Sequence, residues 1–136
     1  MDIASAEETL ENIHRLGGEG YYYRVNLTNR GELTRVLKKV KTDHGVPNII
    51  INNAGRVSGK LLKDMTLDDY MLTVDVNYIA PVIITKFFLD DFIKRDTGHI
   101  FDVCSVVGFT SNIYSSEYAA SKHALRAFHT SLRNEF

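Results

Sequence analysis

Asn48-Ile49-Ile50-Ile51-Asn52-Asn53-Ala54-Gly55 changes character at its middle. Its first half is a short β-branched run, the composition of a buried strand. Its second half is small and polar, which suits a crevice where backbone must approach a ligand closely. Gly98-His99-Ile100-Phe101-Asp102-Val103-Cys104-Ser105 repeats the pattern, a strand with a serine at its carboxyl end. In open α/β sheets ligands bind outside the carboxyl ends of the strands, so both segments point toward one place.

Around these strands the chain alternates. Residues 6–16 carry Leu10, Ile13 and Leu16 at helical spacing and stop at Gly17-Gly18. Residues 20–26 are aromatic and extended and predict another strand. Leu33, Val36, Leu37 and Val40 predict a helix over residues 29–43, with Asn29 as its N-cap. Thr66-Leu67-Asp68-Asp69 reads as a capping box that opens helical sequence toward Arg95. Pro81 should kink or break that helix, leaving a second one through Phe87, Phe88 and Phe92. The last helix should start near Glu117 and pass through Ala124, Leu125, Phe128 and Leu132. The alternation predicts an α/β fold, and 136 residues without repeat or linker predict one domain, 1–136.

The chemistry lies at the start of that last helix. Tyr118 and Lys122 are four residues apart and share a helix face, so phenol and ammonium project into one pocket. A free tyrosine titrates near about 10, and a neighbouring cation favours the phenolate, which fits the pair for proton transfer near neutral pH. Ser105, at the end of its strand, is placed to hold a substrate oxygen there. Composition bounds the alternatives: a net charge of −1 gives no electrostatic case for nucleic acid or an anionic membrane. Cys104 is the only cysteine, so no intrachain disulfide forms, and no metal-ligand pattern is visible. No run reaches the about 20 apolar residues of a membrane span, and a signal peptide is not expected. Asn26-Leu27-Thr28 matches a glycosylation sequon but closes a predicted internal strand.

Taken together, Asn-Asn-Ala-Gly at 52–55, Asn77 within Val74-Asp75-Val76-Asn77, Ser105, and Tyr118-Ala119-Ala120-Ser121-Lys122 resemble the classical short-chain dehydrogenase/reductase family over essentially the whole chain. The resemblance implies a Rossmann-like doubly wound parallel sheet and a catalytic tetrad of Asn77, Ser105, Tyr118 and Lys122. It also implies a nicotinamide cofactor and a small-molecule alcohol or carbonyl substrate. Tyr118 would exchange the substrate proton, Ser105 would orient the oxygen, and Lys122 would lower the tyrosine pKa and hold the nicotinamide ribose. Asn77 would anchor a water leading to solvent. Asn53, Ala54 and Gly55 would line the adenosine side, with Asn26 and Leu27 beside the base, where the Asn26 oxygen could accept from an adenine amine.

Asp2 falls where an acidic side chain would bond the adenosine ribose hydroxyls, which favours NAD(H) and leaves NADP(H) as the second choice. An ordinary N-terminal aspartate capping the first helix is the equal alternative. Cys104 stands where the family often has a second serine and reads as a small buried residue. The sheet is expected to be incomplete. The family's first strand with its Gly-rich turn is not in the sequence, Gly17-Gly18-Glu19-Gly20 following a helix rather than a strand, and the C-terminal strands are not there either.

On this reading the isolated chain is inactive, and a full-length parent would be a homodimer or homotetramer. The residues around Asp2 and Glu7-Glu8-Thr9 resemble a subgroup acting on retinoid and steroid-like alcohols. The compartment stays open: cytoplasmic, or at the endoplasmic reticulum or lipid droplet if a parent carries an N-terminal anchor. Two rivals remain. One is a noncatalytic truncated product or pseudoenzyme that binds a full-length relative. The other is the epimerase and dehydratase branch, which shares Tyr-x-x-x-Lys, although Asn-Asn-Ala-Gly points to the dehydrogenases.

Overall fold

Strands β1 (Ile49–Asn52) and β2 (His99–Asp102) lie parallel, with Ile49 opposite His99 and Asn52 opposite Asp102. The structure, a computed structural model, describes residues 6–136, so Asp2 lies outside the described residues. The ladder continues at both ends, where the His99 amide donates to Asn48 O at 2.9 Å and the Val103 amide donates to Asn52 O at 3.0 Å. Parallel strands cannot be joined by a hairpin, and here a long helix makes the crossover.

That helix is α3 (Leu67–Val74) and α4 (Ala80–Lys94), continuous through one π-helical turn at Asp75–Ile79. The expected break at Pro81 therefore takes a milder form. The Ala80 amide reaches back five residues to Asp75 O, and Pro81 sits in the first turn of α4. The wider turn relieves the clash of the proline ring with the carbonyl four residues before it, so the helix swells instead of stopping. By length and composition Leu67–Lys94 could cross a membrane; its Ala80, Ile84, Phe88 and Phe92 are buried in the core, while Leu67, Met71, Leu72 and Ile93 are exposed.

The other helices are α1 (Glu7–Arg15), α2 (Arg30–His44) and α5 (Ser116–Glu135). Helix α1 ends at Leu16, followed by Gly17 at φ 79°, a conformation that glycine adopts without strain. Asn29 caps α2 as expected, its Oδ1 accepting from the Glu32 amide at 3.0 Å. Thr66 likewise caps α3 by accepting from the Asp69 amide at 3.1 Å. The capping box is one-sided, because the Asp69 carboxylate binds Arg56 and Lys60.

Val25, Leu33, Leu37, Ile50, Ala80, Ile84, Phe88 and Phe92 form the core between β1, α2 and α4. Phe88 and Phe92 are thus core residues. Ile49 and Ile51 point the other way and are 53% and 65% exposed, and Phe101 and Val103 are exposed beside them. Only one face of the two-stranded sheet is covered by described residues. Residues 20–26 form no ladder among the described residues; Arg24 alone is in a bridge, while Val25 is fully buried. Aromatic composition makes a segment extended, but a strand also needs a neighbouring edge to bond.

Candidate active site

The loop leaving β1 is tied down by Asn77, which sits in the π-helical turn and is fully buried. Its Oδ1 accepts from the Arg56 amide at 2.8 Å, while its Nδ2 donates to Arg56 O at 2.8 Å and to Ser121 Oγ at 3.0 Å. One side chain thus holds both main-chain groups of Arg56 and reaches α5. These bonds use both Nδ2 hydrogens and leave Oδ1 one further acceptor site.

The Arg56 guanidinium turns to α3, donating to Asp69 O at 2.9 Å, Thr73 Oγ1 at 3.0 Å and Asp69 Oδ1 at 3.1 Å. Lys60 completes the cluster at 2.8 Å from Asp69 Oδ2. The Lys60 ammonium first, then Arg56, holds the Asp69 carboxyl below the usual carboxylate range.

Helix α5 places Tyr118 and Lys122 one turn apart, with Ser121 between them donating to Tyr118 O at 2.7 Å. Lys122 is only 3% exposed; its Nζ donates to Val103 O at 2.6 Å and lies 5.8 Å from the centre of the Tyr118 ring. Burial pushes the Lys122 pKa below the usual lysine value, against the opposing fields of Cys104 and Asp102. A β-carbon built on Gly55 would stand 4.0 Å from Lys122 Nζ and 3.8 Å from Asn77 Oδ1. Asn77, Gly55, Tyr118 and Lys122 therefore share one location.

Ser105 joins through its neighbours. Val103 takes the lysine bond, and Cys104 Sγ lies 3.4 Å from Lys122 O. The Ser105 hydroxyl itself accepts from the Val107 amide at 3.3 Å, starting the short turn Val106–Gly108. That turn meets α5 so closely that a β-carbon on Gly108 would stand 2.7 Å from Cys104 Sγ and 3.1 Å from Lys122 O.

On the other side of the loop a cavity of about 370 Å³ is bounded by Val25, Asn26, Leu27, Ala54, Gly55 and Leu72. A smaller one of about 240 Å³ takes in Asn53, Ala54 and Leu27. Leu27 and Ala54 line both, Asn26 and Gly55 only the first, and Asn53 only the second. Asn26 differs in detail from expectation: its Oδ1 accepts from the Thr28 amide at 3.0 Å and the Thr28 hydroxyl at 2.9 Å, so the uncommitted group beside the cavity is a donor. A further cavity, about 450 Å³, opens at the amino end of β2 beside His99 and His129, away from Tyr118.

Sequence reasoning missed Glu117 and Asp102. Glu117 is fully buried, and its Oε1 accepts from the Ser58 amide at 2.8 Å and the Ser58 hydroxyl at 2.7 Å. The Asp102 carboxylate accepts from Asn52 Nδ2 at 2.8 Å and lies 2.8 Å from His129 Nδ1. No periodic signal marks either, since both partnerships join distant parts of the chain. Among the described residues no group of His, Cys, Asp and Glu could hold a metal ion.

The family model for short chain dehydrogenase matches residues 2–136. The chain is 32% identical over 115 residues to "Dehydrogenase RED3" of Cochliobolus heterostrophus, covering 85% of this chain and 59% of that protein. It is 36% identical over 129 residues to human "17-beta-hydroxysteroid dehydrogenase 13", covering 95% and 43%. A crystal structure of a metagenomic short-chain oxidoreductase in complex with NADP superposes with a TM-score of 0.92 at 25% identity, covering 98% of this chain and 62% of that one. The chain thus spans less than two thirds of the length of each of these proteins.

Proposed function

The chain belongs to the short chain dehydrogenase family, with a Rossmann-like α/β fold, and on that premise we propose that it forms the catalytic part of an oxidoreductase. The reaction is hydride transfer between a nicotinamide cofactor and a secondary alcohol or carbonyl. The observation that carries this reading is the buried Lys122 ammonium, fixed by Val103 O and 5.8 Å from the Tyr118 ring. A cation in that place favours the phenolate, which is what a tyrosine needs to exchange a proton with a substrate oxygen.

The residues fit the cofactor. The cavities along Asn26, Leu27, Asn53, Ala54 and Gly55 give the adenosine half a crevice at the carboxyl end of β1. Lys122 stands beside Gly55 to meet the nicotinamide ribose. When bound, the nicotinamide supplies or takes up the hydride. Tyr118 donates the proton in reduction and removes it in oxidation, Ser105 orients the substrate oxygen, and Asn77 keeps the loop backbone in place for both. NAD(H) is put ahead of NADP(H) on Asp2, whose charge would repel a 2′-phosphate. The substrate class is a lipophilic secondary alcohol, supported by the similarity to a protein named as a hydroxysteroid dehydrogenase.

Titration with NADH and with NADPH, followed by the fluorescence of the reduced nicotinamide, tests the binding half, and a protein without tryptophan gives this assay a low background. Saturable binding with NADH tighter is expected. Comparable affinity for NADPH would remove the role given to Asp2, and no saturable binding of either would remove the cofactor site. The exposed face of Ile49, Ile51, Phe101 and Val103 favours a second reading, a noncatalytic product whose sheet is covered by a full-length relative. Failure of the two chains to co-sediment would dismiss it.

A further inference from the structure

We propose that Glu117 is a positioning residue of this site, which fixes the loop after β1 against the amino end of α5 and so sets the cofactor-facing backbone relative to Tyr118 and Lys122. The inference rests on the oxidoreductase reading for what the loop faces, and on geometry for the clamp itself. Glu117 has no exposed surface and stands directly before Tyr118 in the first turn of α5. Its Oε1 takes both donors of Ser58, the amide at 2.8 Å and the hydroxyl at 2.7 Å, across 59 residues of sequence. Two residues earlier in the same loop, Asn77 holds both main-chain groups of Arg56 and donates to Ser121 on α5. The segment from Gly55 to Ser58 is therefore stitched to the helix of the tyrosine and lysine at two points, one on each side of Tyr118.

The carboxylate suits the task. Burial alone would raise its pKa, but the Ser58 hydroxyl and amide, with the main-chain amides of Glu117 and Tyr118, outweigh that and leave it below the ordinary value. Oε2 is buried without a hydrogen-bond partner, so both bonds to the loop converge on one oxygen. An uncharged amide oxygen could accept the same two bonds. This separates the clamp from the charge: Glu117→Gln should preserve the clamp and Glu117→Ala should release it.

The test compares wild type, Glu117→Ala, Glu117→Gln and Ser58→Ala in the intact protein. It reads hydrogen exchange at the Ser58 amide together with KM for the nicotinamide cofactor and kcat. Release of a bond to a charged acceptor should speed Ser58 exchange in Glu117→Ala by about tenfold or more. Cofactor KM should rise with it, and kcat should fall, because both loop and tyrosine lose their common reference. Glu117→Gln should restore protection and kcat/KM to within about threefold of wild type, a difference near or below about 1 kcal/mol. Ser58→Ala, which removes the hydroxyl bond and keeps the amide, should fall between them.

A purely structural Glu117 would lower the melting temperature and leave cofactor KM and kcat of the folded fraction unchanged; that outcome overturns the proposal, as does a Gln variant as impaired as the Ala variant. Should Glu117→Ala not fold, an unchanged cofactor KM in Ser58→Ala overturns it equally. If wild type bound no nicotinamide cofactor, the oxidoreductase reading would fall, while Ser58 exchange would still decide the clamp.

Discussion

Asn77→Ala removes a side chain that is fully buried and makes hydrogen bonds of 2.8, 2.8 and 3.0 Å. Ser121 survives the change best, because its hydroxyl still donates to Tyr118 O at 2.7 Å. Arg56 does not: its amide and its carbonyl both lose their partner within the fold. Arg56 is only half-buried, so water replaces part of what is lost; at about 0.5–1.5 kcal/mol net per bond, the two together predict a loss of about 1–3 kcal/mol. Against a total stability of about 5–15 kcal/mol for an ordinary domain, that is a measurable share. Urea denaturation of the intact protein should show a lower midpoint with an unchanged slope. Ser121→Ala, which costs Asn77 only one bond, should lose about 1 kcal/mol. A loss below about 1 kcal/mol for Asn77→Ala at constant slope would mean that water or a relaxed loop replaces the bonds, and the view of Asn77 as the fastener of the site would fail.

Further outcomes follow from the same contacts. Gly108→Ala places a β-carbon 2.7 Å from Cys104 Sγ and 3.1 Å from Lys122 O, so it should destabilise by about 1–3 kcal/mol, and adding Cys104→Ala should recover only part because the main-chain contact remains. Thermal unfolding at graded pH would show it, and equal stability of Gly108→Ala and wild type would refute the close approach. The Glu117 carboxyl has a folded pKa below its ordinary value of about 4.3, so its contribution is fully present above that ordinary value and is lost as pH falls through the lowered folded one. The acid-side decline of stability should therefore be shallower in Glu117→Gln, and identical slopes would contradict the assignment. Residues 1–136 expressed alone should unfold without a sharp transition, because Ile49, Ile51, Phe101 and Val103 leave one sheet face open to water. A cooperative calorimetric peak accompanied by saturable NAD(H) binding would show otherwise.

The parts of the fold legible in the sequence were those governed by local rules. Asn29 and Thr66 announce helix starts because a short polar side chain can accept from an amide three residues on, and both do so. Tyr118 and Lys122 announce a shared face because helical geometry alone brings them together. Ile49, Ile50 and Ile51 announce a strand, but not which face is covered. Residues 20–26 misled for the same reason, since extended composition says nothing about the edge a strand will bond. Pro81 signalled a disturbance and the structure supplied its form, a wider turn that also carries Asn77 into the site. Asp69 looked like half of a capping box and instead serves Arg56 and Lys60, a choice made by tertiary contacts. Glu117 and Ser58 gave no sign at all, because a bond across 59 residues has no sequence period.

Turnover of lipophilic secondary alcohols by the intact protein with NAD, read as absorbance of the reduced nicotinamide and compared between wild type and Tyr118→Phe, decides whether Tyr118 carries the substrate proton. The phenyl ring keeps the packing beside Lys122 and removes only the hydroxyl, so cofactor affinity should be nearly unchanged while kcat falls by about 10²-fold or more. Near-normal turnover in Tyr118→Phe would contradict the account, because no other group described beside Lys122 Nζ has been given the proton to carry.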